Sequence, residues 1–99
     1  MPSPEAVHEA ATLQDELRSL LGHQKVGVRP YGQHLLIQML TDDEPHTVAR
    51  LTNHGSKHYG AAFRTHSGRW EPLPGGGSRT EAAELVVTLL GAYLDPVNY

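Results

Sequence analysis

Tyr59-Gly-Ala-Ala-Phe63 leads through Thr65-His-Ser-Gly68 to Trp70 and Leu73, then Gly75-Gly-Gly77, and Ser78-Arg-Thr-Glu81 opens a long apolar run. In an extended chain Tyr59, Ala61, Phe63 and Thr65 fall on one face, and Gly60, Ala62, Arg64 and His66 on the other. Ser67-Gly68 has turn chemistry, so Trp70 to Leu73 is read as the returning strand, cut short by Pro72 and Pro74 and placed at a sheet edge. Ser78-x-x-Glu81 is a capping box, in which each side chain accepts from the other residue's backbone N–H at a helix start. The stretch predicts a hairpin, a glycine loop and a helix from Arg79. That combination belongs to α+β domains.

The upstream chain extends this reading. Ser3-Pro4-Glu5 places an N-cap, a proline at the first helical position and an acid in the first turn. A helix is expected from Pro4, with Ala6, Ala10, Leu13, Leu17, Leu20 and Leu21 facing inward and Gly22 ending it. Lys25 to Arg29 reads as a short edge strand broken by Pro30 and Gly32. His34 to Thr41 is nearly continuous in apolar residues, which predicts a central strand covered on both faces. Asp42 to Pro45 turns the chain, Thr47 to Thr52 returns as a hairpin partner, and Asn53 to Ser56 turns it again. The expected order is helix, four to five antiparallel strands, helix, in one domain over residues 1–99 with both helices on one sheet face. The second helix leaves only Glu81, Glu84, Thr88 and Asp95 as a polar stripe. So wide an apolar surface predicts that the first helix lies beside it or that a second copy covers it, and a homodimer is expected.

Composition narrows the function classes. A chain of 99 residues holds one core. Without cysteine it has no disulfide framework and no thiolate zinc site, and a reducing, cytoplasmic setting is expected. Its short apolar runs predict neither a signal peptide nor a membrane span. The net charge of −3 is unevenly spread. Residues 1–22 and 80–99 each carry −3, which leaves residues 23–79 at +3 with six of the seven histidines. An anionic partner is therefore expected at the centre of the chain rather than at its ends.

Few constellations carry chemistry. His54-x-x-x-His58, with His66 beyond it, is a weak metal-ligand candidate lacking cysteine support. Gly75-Gly-Gly-Ser78-Arg79 is a candidate anion site at a helix N-terminus, without the spacing and lysine of a P-loop. No serine sits in a nucleophile elbow, and Asp42-Asp43-Glu44 reads as a turn, so no catalytic residue and no cofactor is expected. Arg50, Lys57, Arg64, Arg69 and Trp70, with His58, Tyr59 and His66 nearby, mix basic and aromatic groups as a phosphate-tracking sheet would. Arg79 joins them as an anion-binding candidate. Trp70 and Phe63 are expected to form a core pair across the turn.

Gly55-x-x-His58, Phe63, the hairpin and Gly75-x-Gly77-Ser78-Arg79-Thr80-Glu81-Ala82 together resemble the second half of a double-stranded-RNA-binding domain, over residues 55 to about 90. The resemblance implies a helix–sheet–helix fold, with the start of the second helix turned toward phosphate. Arg79-Thr80 stands where that family has a lysine pair, and the chain has strands to spare before residue 55. The first functional expectation is a non-enzymatic binding or regulatory module acting through protein–protein contact as a homodimer. A nucleic-acid-binding module using the basic central strands comes second, and a metal-dependent or hydrolytic enzyme third.

Overall fold

The Ser3 hydroxyl accepts from the Ala6 N–H, Pro4 fills the first helical position, and helix α1 runs Pro4–Leu21 until Gly22 turns to φ +76°. A computed structural model describes residues 3–96; Met1, Pro2 and Val97 to Tyr99, the ends of the expected domain, lie outside the described residues. Five strands follow in chain order, β1 Val26–Tyr31, β2 His34–Met39, β3 His46–Asn53, β4 Tyr59–Arg64 and β5 Trp70–Gly77. Each pairs antiparallel with the next, so the sheet order is β1-β2-β3-β4-β5. Helix α2 spans Arg79–Leu90 behind the capping box of Ser78 and Glu81, and a 3-10 turn, Gly91–Leu94, continues it. The α+β architecture is the one the sequence predicts.

Both helices lie on one side of the sheet. Ala10, Leu13 and Leu17 of α1, Ala82, Ala83, Val86 and Leu90 of α2, and Val26, Leu35, Ile37, Met39, Ala49, Leu51, Tyr59 and Ala61 of the strands form one core. A fully buried Leu or Ile such as Leu13, Leu17, Ile37 or Leu51 contributes about 1.5–3 kcal/mol. The helices also touch each other. Of the two covers expected for the apolar surface of α2, the first helix is therefore one. Leu20 departs from the expected inner stripe and is 47% exposed.

Several strand readings need correction, among them that Pro72 and Pro74 cut the last strand short, since β5 runs through both to Gly77. The His34–Thr41 run is not a strand covered on both faces. Leu35, Ile37 and Met39 are buried while His34, Leu36 and Gln38 alternate with them on the uncovered side, because both helices cover the same face. The middle of the sheet is β3, which carries a bulge: Ile37 pairs with Ala49 but Gln38 with Thr47, leaving Val48 unpaired and buried. Pro30 does not break β1, because the N–H it lacks belongs to the outward edge of the strand. The triple glycine is not a loop either. Gly76 and Gly77 pair with Gly60 and Tyr59 within β5. A Cβ on Gly76 would stand 2.7 Å from the Tyr59 carbonyl oxygen, so β4 and β5 can approach there only with glycine.

Candidate functional site

Strand alternation sorts every sheet residue onto the helix side or the open side. Arg29 and Tyr31 of β1, His34, Leu36 and Gln38 of β2, Arg50 and Thr52 of β3, Gly60, Ala62 and Arg64 of β4, and Trp70 and Pro72 of β5 share the open side, since Arg29 pairs with Leu36, Leu36 with Arg50, Arg50 with Ala62, and Arg64 with Trp70. No carboxylate stands among them. Glu71, the acid within the strands, pairs with Phe63 and so belongs to the other side. Trp70 and Phe63 are therefore not the expected core pair; the register puts them on opposite faces.

At the centre, the Arg50 guanidinium carbon lies 4.4 Å from the centroid of the Trp70 ring and that of Arg64 lies 5.8 Å from it. Each is a cation–π contact, worth about 0.5–1 kcal/mol at exposed sites and more when desolvated. The Arg50 Nε is buried without a hydrogen-bond partner. Arg79 is ion-paired to Glu9 and Glu16, whereas among the described residues no ion pair involves Arg29, Arg50 or Arg64. Beside Arg50, the His34 Nδ1 lies 2.8 Å from the Thr52 hydroxyl. Burial and then the Arg50 charge hold the His34 imidazole below its ordinary pKa. His54 lies over Gly60, with its ring 6.2 Å from that of His58.

The remaining candidates part company. Lys57 and Arg69 occupy the turns at opposite ends of β4, both exposed, with Lys57 at φ +60°. His66 lies beyond the far end of β4 from His58, lining a cleft of about 770 Å³ with His46, Val48, Phe63, Leu90 and Tyr93. His66 is thus separated along the strand from the His54–His58 pair, and no group of three His, Asp or Glu among the described residues is placed to hold a metal ion.

Arg79 lies in the other layer altogether. Its Nε donates to Glu16 Oε1 at 2.8 Å, its Nη1 donates to Glu9 Oε2, and Thr80 donates to Glu16 Oε2 at 2.9 Å. Burial works to lower the Arg79 pKa, but the hydrogen bonds and charges of Glu16 and Glu9 outweigh it and raise it. Burial, and then the Glu9 carboxylate, push the Tyr59 phenol up. The helix N-terminus is filled by its own cap, with Ser78 Oγ accepting from the Glu81 N–H at 3.2 Å and Glu81 Oε1 from the Ser78 N–H at 3.1 Å. The phosphate-facing role that the double-stranded-RNA-binding resemblance gives to this position is thus taken by carboxylates of the same chain.

The sequence alone does not single out Arg29, Tyr31, His34 or Leu36 as site residues, although His34, Leu36 and Gln38 alternate in it as one strand face. Among the described residues no helix is long and apolar enough to cross a membrane. Comparison with protein-family models, with curated proteins and with solved structures finds no match to this chain.

Proposed function

We propose that the protein is a small non-enzymatic binding module whose docking surface is the open face of the sheet and whose partner is anionic. The observation that carries this reading is the acid-free cluster of Arg50, Arg64 and Trp70, with Arg29 and His34 beside it. Three arginines on one face without a carboxylate among their neighbours repel one another, and an arriving anion relieves that repulsion.

The sheet edges support the same surface by elimination. On β1 the Val26 carbonyl accepts from Arg18 at 2.9 Å and the Val28 N–H donates to Gln14 at 3.1 Å. Pro30, the next outward position, has no N–H. Pro72 and Pro74 remove donors from β5 in the same way. Strand addition at either edge therefore has little to grip. Face-to-face pairing of two copies about a twofold axis would bring Arg50 and Arg64 against their equivalents, a like-charge contact that costs stability. The expected homodimer is left with the helix layer, where Leu20 and Leu89 remain 47% and 46% exposed.

Titration of isotope-labelled protein with a heparin hexasaccharide, in about 50 mM salt where phosphate-type contacts are strong, tests the proposal. Shifts are expected at Arg29, His34, Arg50, Arg64 and the Trp70 indole. Shifts confined to the helices, or none, refute it.

A further inference from the structure

Resting on the anionic-partner reading above, we infer that the open face takes a single-stranded nucleic acid, with phosphates on Arg29, Arg50 and Arg64 and bases stacked on the Trp70–Arg50 platform. The charge condition is met by a row of arginines that no carboxylate neutralises. The stacking condition is met on the same surface. Trp70 and the Arg50 guanidinium already form one stack at 4.4 Å, and a base can extend it on the ring or on the guanidinium plane. Tyr31, 61% exposed, offers a second ring at the opposite edge of the sheet. Between them lie the uncharged Leu36 and Ala62. Four inter-strand steps of about 4.8 Å make the face roughly 19 Å wide.

Duplex is disfavoured by the same structure. A groove-reading element must project, and both helices lie on the opposite layer with Glu5, Asp15, Glu81 and Glu84 exposed. The start of α2 is closed by its cap and by the Arg79 ion pairs. A protein partner with acidic side chains would meet the charge condition but gains nothing specific from a ring sharing its face with two guanidiniums. Stacking sets the nucleic acid apart.

Trp70 is the one tryptophan of the chain, so its fluorescence reports on the site directly. The test titrates the full chain with a dT 12-mer, a U 12-mer and a 12-base-pair duplex at salt from about 50 to 200 mM. Quenching by at least one single strand is expected, with affinity falling as salt rises. Arg50→Ala and Arg64→Ala should each reduce the slope of log affinity against log salt by about 0.7, the value per phosphate contact for single strands. Trp70→Leu, followed by anisotropy of a labelled 12-mer, should weaken binding by roughly 5- to 150-fold. Circular dichroism of each variant separates loss of binding from loss of fold, and the wild-type quench stands whether or not a variant folds.

Heparin shifts on the open face without binding of either single strand overturn this inference and leave the anionic-partner reading intact. Duplex bound as tightly as single strand overturns it too. Absence of binding by heparin and oligonucleotides alike removes both.

Discussion

Replacing Arg79 with Met keeps the aliphatic stem and deletes the charge that joins α2 to α1. Its side chain is 25% exposed, and those of Glu9 and Glu16 are 18% and 22% exposed, so the triad lies between a surface pair and a buried one. Exposed pairs contribute about 0–1 kcal/mol. Breaking a buried pair by removing one partner costs about 3–5 kcal/mol, because a charge is stranded. Here two carboxylates lose their shared cation, while Glu16 keeps its bond from Thr80. A loss of about 2–3 kcal/mol is expected. At roughly 4–8 °C per kcal/mol for a domain of this size, the melting temperature should fall by about 10 °C or more. Thermal and urea melts monitored by circular dichroism read the change. Adding Glu9→Gln and Glu16→Gln to Arg79→Met removes the stranded charges and should recover at least half of the loss. A single-variant loss below about 0.5 kcal/mol, or a triple variant no more stable than the single, would refute the view that this triad holds the helices together.

Further outcomes follow from the glycines of β4 and β5 and from His34. Gly76→Ala and Gly60→Ala each place a methyl group 2.7 Å from a neighbour, but the neighbour is the Tyr59 carbonyl oxygen in the first case and the tip of the His54 ring in the second. The first should cost about 1–3 kcal/mol, because backbone must move or stay strained, and the second less than about 1 kcal/mol, because a ring can turn away; equal urea midpoints would contradict the argument. Because burial and Arg50 lower the His34 pKa, the free protein should lose stability as pH falls below about 6.5, the unfolded chain binding the proton more readily. An anion on Arg50 offsets that charge and raises the His34 pKa, so binding takes up a proton and affinity should strengthen over the same window. Arg29, Arg50, Arg64, His54 and His58 share the open face with His34, and Glu5 and Glu9 of α1 line a hollow at its end of the sheet. His34→Gln should therefore flatten the affinity profile in part, and an unchanged profile would place His34 outside the site.

How much was legible in the sequence follows from how local each cause is. Ser3-Pro4 and Ser78-x-x-Glu81 act within one turn, and both helix starts were readable from them. The Tyr59–Thr65 alternation was equally local and assigned Arg64 to its face. The side of Trp70 is not legible locally, because it is set by register across the Ser67-Gly68 turn, where Arg64 rather than Phe63 is its partner. Gly75 to Gly77 reads as a loop in the sequence because glycine weakens strands in general. Only the approach of the Tyr59 carbonyl, a long-range contact, makes glycine the residue that fits. Arg79 shows the same limit, since its partners Glu9 and Glu16 lie more than sixty residues away in the chain.

A chain of net charge −3 can present a basic face because its two layers carry opposite signs. Glu5, Glu9, Asp15 and Glu16 lie on α1, and Glu81 and Glu84 on α2, with Arg79 as the cation that meets Glu9 and Glu16. The open face keeps Arg29, Arg50 and Arg64 without such a partner. The layers are separated by roughly 10 Å, the thickness of one packed layer, against a screening length of about 8 Å at physiological salt. At that salt an approaching anion therefore responds chiefly to the arginines in front of it. In dilute buffer of about 0.01 M the screening length grows to about 30 Å, and the helix carboxylates reach through the sheet and oppose it. Affinity should consequently rise less steeply toward very low salt than the number of phosphate contacts alone would give. A log–log plot that stayed straight down to about 0.01 M would mean that the helix layer does not influence the open face.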